Sequence, residues 1–221
     1  MSPDRLVADQ PVDLGPSFVS VLARVVSALR TAEVPYGILG GVAATSYGRP
    51  RCTKDIDVFC RPEDAHRILD VLEGEGFSVE RTNPTWIFKA WIDEVVVDVS
   101  FKTKGEVYFD EEMRSRVRTR EICGVEVPLI APEDVVVTKV LATDETAPGH
   151  WWDALCIIAS NELDWSYLLE RARKGPNRVA SVLHFALSAD LIVPTAVVRA
   201  LDEQIASSWV AEPEESPWTP R

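Results

Sequence analysis

Cysteine, histidine and methionine are scarce in this 221-residue chain, at four, three and two residues. Cys52, Cys60, Cys123 and Cys156 show no Cys-x-x-Cys spacing, and His66, His150 and His184 do not group with them. That argues against a zinc site and for reduced thiols. No base stands beside Cys52 in the sequence, so it is not read as a nucleophile. No apolar run approaches the ~20 residues that span a bilayer, and the N-terminus MSPDRLVADQPVDLG lacks the charged-then-apolar order of a signal peptide. The expectation is a cytoplasmic protein with no membrane contact. Positive charge is short too: 23 Lys and Arg stand against 35 Asp and Glu, a net charge of −12. Such a field disfavours non-specific binding to nucleic acid, whose affinity comes mainly from Lys and Arg on phosphates. No internal repeat is visible. What is there, 46% hydrophobic and 26% charged residues, fits one sizeable globular core or two small ones.

The stretch Tyr36 to Cys60, YGILGGVAATSYGRPRCTKDIDVFC, carries most of the chemistry. It reads as a short apolar strand, a glycine pair (Gly40, Gly41), a small-residue helical turn, a basic loop (Arg49, Arg51, Lys54) and a strand from Asp55. Alternate residues of a strand share a face, so Asp55 and Asp57 project together, about 6 to 7 Å apart by strand rise, while Ile56 and Val58 face the core. Two such carboxylates repel unless a cation sits between them. Mg²⁺ suits the pair because it takes oxygen from one or two carboxylates and keeps positions for water and substrate phosphates. Glycine lets backbone N–H groups approach an anion, and a helix N-terminus favours negative charge.

A glycine pair, about a dozen residues and then Asp-x-Asp on a strand resembles the signature of the polymerase-beta-like nucleotidyltransferase superfamily. That pattern ends with a third carboxylate on a neighbouring strand, and Asp98 in VVVDVS is the match. PEDVVVTK, from Pro132 to Lys139, is similar to the segment after the catalytic sheet in small bacterial members, including abortive-infection and toxin-type nucleotidyltransferases. The likeness covers about residues 34 to 160. It departs from the toxin-type pattern K…RxKDxxD: Asp153 matches the final carboxylate, but His150 replaces the earlier one and the preceding arginine is missing.

The resemblance implies an α+β fold, a mixed-sheet nucleotidyltransferase core flanked by helices. It implies NMP transfer from an NTP to an acceptor hydroxyl, with Asp55, Asp57 and Asp98 as catalytic and metal-binding residues for two Mg²⁺ ions, or Mn²⁺. Nucleotide contacts would come from Gly40, Gly41, Arg49, Arg51, Thr53, Lys54 and Lys139. The acceptor is open between tRNA or protein, with an antitoxin-like protein partner, and an aminoglycoside-like or lincosamide-like antibiotic. A rival of another class is a non-catalytic nucleotide-binding protein of the same fold.

The rest of the chain reads as a loose arm (residues 1–16), a catalytic domain (17–131), a helical region (132–210) and a disordered acidic tail (211–221). Periodicity predicts helices over 17–33, capped by Ser17, and from Pro62 to Gly74, then strands at 77–80, 85–91 and 94–101, the last two joined by Ile92-Asp93. Residues 109–120 are ambiguous; as a strand edge they would place Arg114, Arg116, Arg118 and Arg120 on one face, a patch for an acceptor or a solvated edge. A hairpin around Cys123-Gly124 follows, then an amphipathic helix from Pro132 with Glu133 and Asp134 in its first turn and Lys139 on its polar side. Further helices are expected over 150–160, with Trp152 in its apolar bulk, and over 163–173, 176–189 and 194–210. His66 reads as a surface residue and His184 as a satisfied or partly buried core residue.

Overall fold

The computed structural model describes residues 14–209, Glu145 excepted. The expected arm mostly, and the acidic tail wholly, lie outside the described residues. The fold is α+β: among the described residues, a seven-stranded mixed sheet of order β3-β4-β5-β2-β1-β7-β6 with helices around it.

Helix α1 (Pro16–Thr31) starts one residue earlier than the periodicity suggests. Proline at its first position, lacking the N–H that a helix start leaves unsatisfied anyway, replaces the expected serine cap. Strand β1 (Tyr36–Ile38) leads into the short helix α2 (Gly40–Ser46), and β2 (Asp55–Cys60) returns antiparallel to β1. A 3-10 turn at Pro62–Asp64 opens α3 (Ala65–Gly74). Strands β3 (Ser78–Asn83), β4 (Ile87–Ile92) and β5 (Val95–Ser100) follow as a meander. The connection from β2 through α3 makes β5 parallel to β2, with Asp57 opposite Asp98.

The β4–β5 turn is Asp93-Glu94, one residue later than expected, and both residues have positive φ, 48° and 64°. A two-residue turn with both φ positive matches the strand twist, and here two acidic residues adopt it where Asn-Gly would cost less. The shift sets Lys89 opposite Asp98.

The segment 109–120 divides. Residues Glu111–Ser115 form α4, capped by Asp110, and Arg118–Ile122 form β6, so the four arginines do not share a strand. Asp110 accepting the Met113 N–H is the local reason the helix wins there. Strand β7 (Val125–Leu129) completes the expected hairpin around Cys123-Gly124.

Helix α5 (Pro132–Ala142) is not amphipathic as read: every residue from Pro132 to Leu141 is buried. Its charged residues find partners instead of water. Tyr167 donates its hydroxyl to Asp134 at 2.7 Å, Arg171 lies 2.8 Å from the same carboxylate, and Glu133 accepts the Asp164 N–H at 2.7 Å. These partners come from α7 (Trp165–Ala172) and its cap, so the polar end of α5 pins the helical region to the sheet. Burial raises the Asp134 carboxyl to about 6 despite Arg171.

Helices α6 (Gly149–Ser160), α8 (Pro176–Ser188) and α9 (Thr195–Trp209) complete the described chain. Trp152 is 44% exposed rather than in the bulk, and His184 is exposed and paired with Asp202 at 3.1 Å, not in the core. His66 is on the surface as expected, and the four cysteines are unbridged.

Helices α1 and α3 cover one sheet face, burying Leu22, Leu29, Ile68 and Leu72 with Ile56, Val58, Val97 and Val99. The opposite face of β2 and β5 carries the carboxylates.

Candidate active site

Asp55 and Asp57 on β2 and Asp98 on β5 each offer an oxygen within 4.8 Å of the others'. Parallel pairing of the two strands, with Asp57 and Asp98 level, is what closes the cluster. A donor set of hard carboxylate oxygens on one face fits a divalent cation such as Mg²⁺. Burial pushes Asp57 up to about 6, Asp55 and Asp98 adding to the shift and Lys139 and the Gly41 N–H opposing it. Without a cation, three carboxylates this close strain against one another.

The glycine pair makes room for this cluster. A Cβ on Gly40, whose φ is +64°, would stand 1.7 Å from an Asp57 oxygen, and one on Gly41 would stand 2.2 Å from the Thr53 hydroxyl. Thr53 donates to Asp55 at 2.7 Å, and the Gly41 N–H points to Asp57 at 3.4 Å. Thr53 and both glycines therefore set the carboxylates in place.

The basic loop and α5 meet at Asp153, on α6 and 1% exposed. Arg51 grips it with two bonds, at 3.1 and 3.0 Å; Lys139 lies at 3.0 Å, Arg49 at 3.6 Å and His150 at 3.9 Å. Burial by itself would raise the Asp153 carboxyl, but hydrogen bonds from His150, Arg51 and Lys139 outweigh it and hold the group below the usual carboxylate range. Three cations share one carboxylate, which leaves a positive excess beside the acidic cluster.

Asp55 and Asp57 of the acidic cluster and Arg51, Lys139 and His150 around Asp153 line one cleft of about 710 Å³, together with Leu39, Trp86, Ser100 and Ala142. Of the sequence-derived nucleotide contacts, Gly40, Gly41, Arg51 and Lys139 line it. Arg49 and Thr53 act through Asp153 and Asp55, and Lys54 is exposed outside the lining. The arginine row is held elsewhere: Arg114 by Glu111, Arg116 by Glu112 and Asp164, Arg118 near Glu133, and Arg120 over the Tyr47 ring. None of the four lines the cleft.

The sequence reading missed one residue and left the partners of another open. Lys89, on β4, forms an ion pair with Asp98; a turn read at Asp93-Glu94 would have set the two opposite each other. Asp153 was visible, but its cations come from two separate segments, Arg49 and Arg51 from the basic loop and Lys139 from α5.

A family model described as an uncharacterised nucleotidyltransferase matches residues 17–192. No curated protein matches the sequence. Among solved structures, the antibiotic-resistance factor ANT(2'')-Ia in solution is similar with a TM-score of 0.51 at 18% identity, over 88% of this chain and 94% of that one. Its crystal structure in complex with adenylyl-2''-tobramycin also scores 0.51 at 18%, over 87% and 99%. A nucleotidyltransferase-like protein from Paracoccidioides brasiliensis scores 0.48 at 18%, over 80% and 94%. At these identities the structural likeness speaks for the fold alone. The matched family and the fold that carries its carboxylates agree: this chain belongs to the nucleotidyltransferases of that family, within the polymerase-beta-like superfamily, and is an enzyme of that class.

Proposed function

We propose that the chain transfers a nucleoside monophosphate from an NTP to an acceptor hydroxyl, releasing pyrophosphate, with Mg²⁺ as the metal. The observation that carries this is the convergence of Asp55, Asp57 and Asp98 within 4.8 Å, beside cations that outnumber their own carboxylate. Asp55 and Asp57 would hold two ions, Asp98 one of them. Bound there, Mg²⁺ supplies activation of the acceptor oxygen and neutralisation of the leaving pyrophosphate. Arg51 and Lys139, with Arg49 behind them, draw the β- and γ-phosphates toward α6. Asp98 takes the acceptor's proton. Catalysis is then mainly positioning and charge stabilisation, as phosphoryl chemistry needs.

For the acceptor we favour RNA of the tRNA class over a cationic antibiotic. PEDVVVTK is similar to the toxin-type members, and the Lys89 ammonium beside Asp98 opposes a polycation at that carboxylate. A toxin-like role would carry with it an inhibitory protein partner and a cytoplasmic setting, where NTPs are abundant. Among the described residues no helix is long and apolar enough to cross a membrane.

The test is incubation with Mg²⁺ and each labelled NTP, alone and with total tRNA or an aminoglycoside. Label on RNA is expected. Label on the protein or drug would replace the acceptor, and no transfer under any condition, with nucleotide bound, would favour a binding protein.

A further inference from the structure

Parallel pairing gives the cleft a direction. The loop bearing Arg51 enters β2 just before Asp55, and the register sets Asp57 level with Asp98 and Lys89. Two residues further along β5, on the same face as Asp98, is Ser100, opposite Ile87. Trp86 comes next: its carbonyl accepts the Phe101 N–H at 3.0 Å, about 10 Å beyond Asp98 by strand rise. The cations of Asp153 thus stand at one end of the strand axis, the acidic cluster in the middle and Trp86 at the other end.

Charge separates the two ends as well. Arg51 and Lys139 share one carboxylate with Arg49, so their end is positive. At the Trp86 end the lysines that line the cleft have acidic partners of their own, Lys104 with Asp144 and Lys102 with Glu106 at 3.8 Å. A triphosphate belongs at the first end, and an uncharged group at the second. The indole there is 43% exposed. Ser100, one residue before the Phe101 that bonds the Trp86 carbonyl, lines the cleft as an uncharged neighbour.

We infer that Trp86 is the platform on which the nucleobase of the NTP stacks, and that it sets how strongly the enzyme tells nucleotides from bare polyphosphate. The inference rests on the nucleotidyltransferase reading above, with the α-phosphate over the carboxylates and the ribose spanning the interval to the indole. Every base has a π-face, so stacking of this kind tolerates all four and favours the larger purines modestly.

Calorimetric titration with Mg²⁺–ATP and with Mg²⁺–tripolyphosphate separates the two claims. Wild type should bind ATP more tightly than tripolyphosphate. Trp86→Ala should weaken ATP roughly 5- to 150-fold, the range for one base–aromatic stack, and leave tripolyphosphate within about twofold. Trp86→Phe should keep most of the ATP affinity. ATP binding unchanged in Trp86→Ala, or equal weakening of both ligands, overturns the inference while leaving the nucleotidyltransferase reading in place. Wild type that binds neither ligand in Mg²⁺ overturns both.

Discussion

Replacing Asp57 with Asn should make the metal-free protein more stable while nearly abolishing turnover. Burial and the carboxylates of Asp55 and Asp98 raise the Asp57 carboxyl from its ordinary 3.8 to about 6. A raised acid holds its proton longer in the folded chain than in the unfolded one, so folding stability falls as pH climbs from the unfolded value through about 6. A rise of that size corresponds to about 3 kcal/mol at most, and partial contact with water trims this to about 2 kcal/mol. For a chain of this size that is about 4 to 8 °C in Tm. The assay is thermal unfolding in EDTA from pH 4 to pH 8. The two proteins should melt together near pH 4 and diverge to the full difference above pH 7, with the variant higher. Asp134, raised in the same direction by its own burial, is common to both proteins and drops out of the difference. Millimolar Mg²⁺ should stabilise the wild type by binding the native state, and the variant much less. A variant that melts below the wild type at pH 8 without metal would refute the reasoning, because the ionised carboxylate would then be stabilising the fold.

Two other substitutions probe the supports of the cluster. Gly40→Ala places a methyl group 1.7 Å from an Asp57 oxygen at a φ of +64°, so the carboxylate must move. Activity and Mn²⁺ affinity should each drop by more than about tenfold, as when a group that orients a metal ligand is lost; an unchanged Mn²⁺ titration would contradict this. Asp153→Asn removes the charge that holds Arg51, Lys139 and Arg49 together, and breaking a buried ion pair from one side costs about 3 to 5 kcal/mol. Here the sign is opposite to Asp57: the carboxyl is depressed, so its stabilisation is present above the unfolded pKa and disappears as pH falls below it. Urea unfolding at pH 7 should show the loss, and a difference under about 1 kcal/mol would refute the role.

Much of the site was legible in the residues because strand alternation is local. Asp55 and Asp57 share a face whatever the rest of the chain does, and the apolar neighbours of Asp98 assign it the same geometry. The family resemblance supplied Asp98 as the third carboxylate, and the parallel register sets it level with Asp57. Boundaries were less legible. The β4–β5 turn slipped by one residue because two acidic residues at positive φ carry no Asn-Gly signal, and with it went the Lys89–Asp98 pair. Helix α5 failed the amphipathic reading because its charged residues are neutralised by side chains from α6 and α7, more than ten residues away in sequence.

By itself, then, the sequence determined the alternating strands, the helix starts at Pro132 and Pro176, and which three carboxylates gather on one sheet face. Only the tertiary structure decided which cations face those carboxylates. Arg49, Arg51 and Lys139 were free to be surface residues until α6 brought the buried Asp153 between them. A buried charge must find a partner wherever the fold offers one, and no pattern along the chain records where that will be.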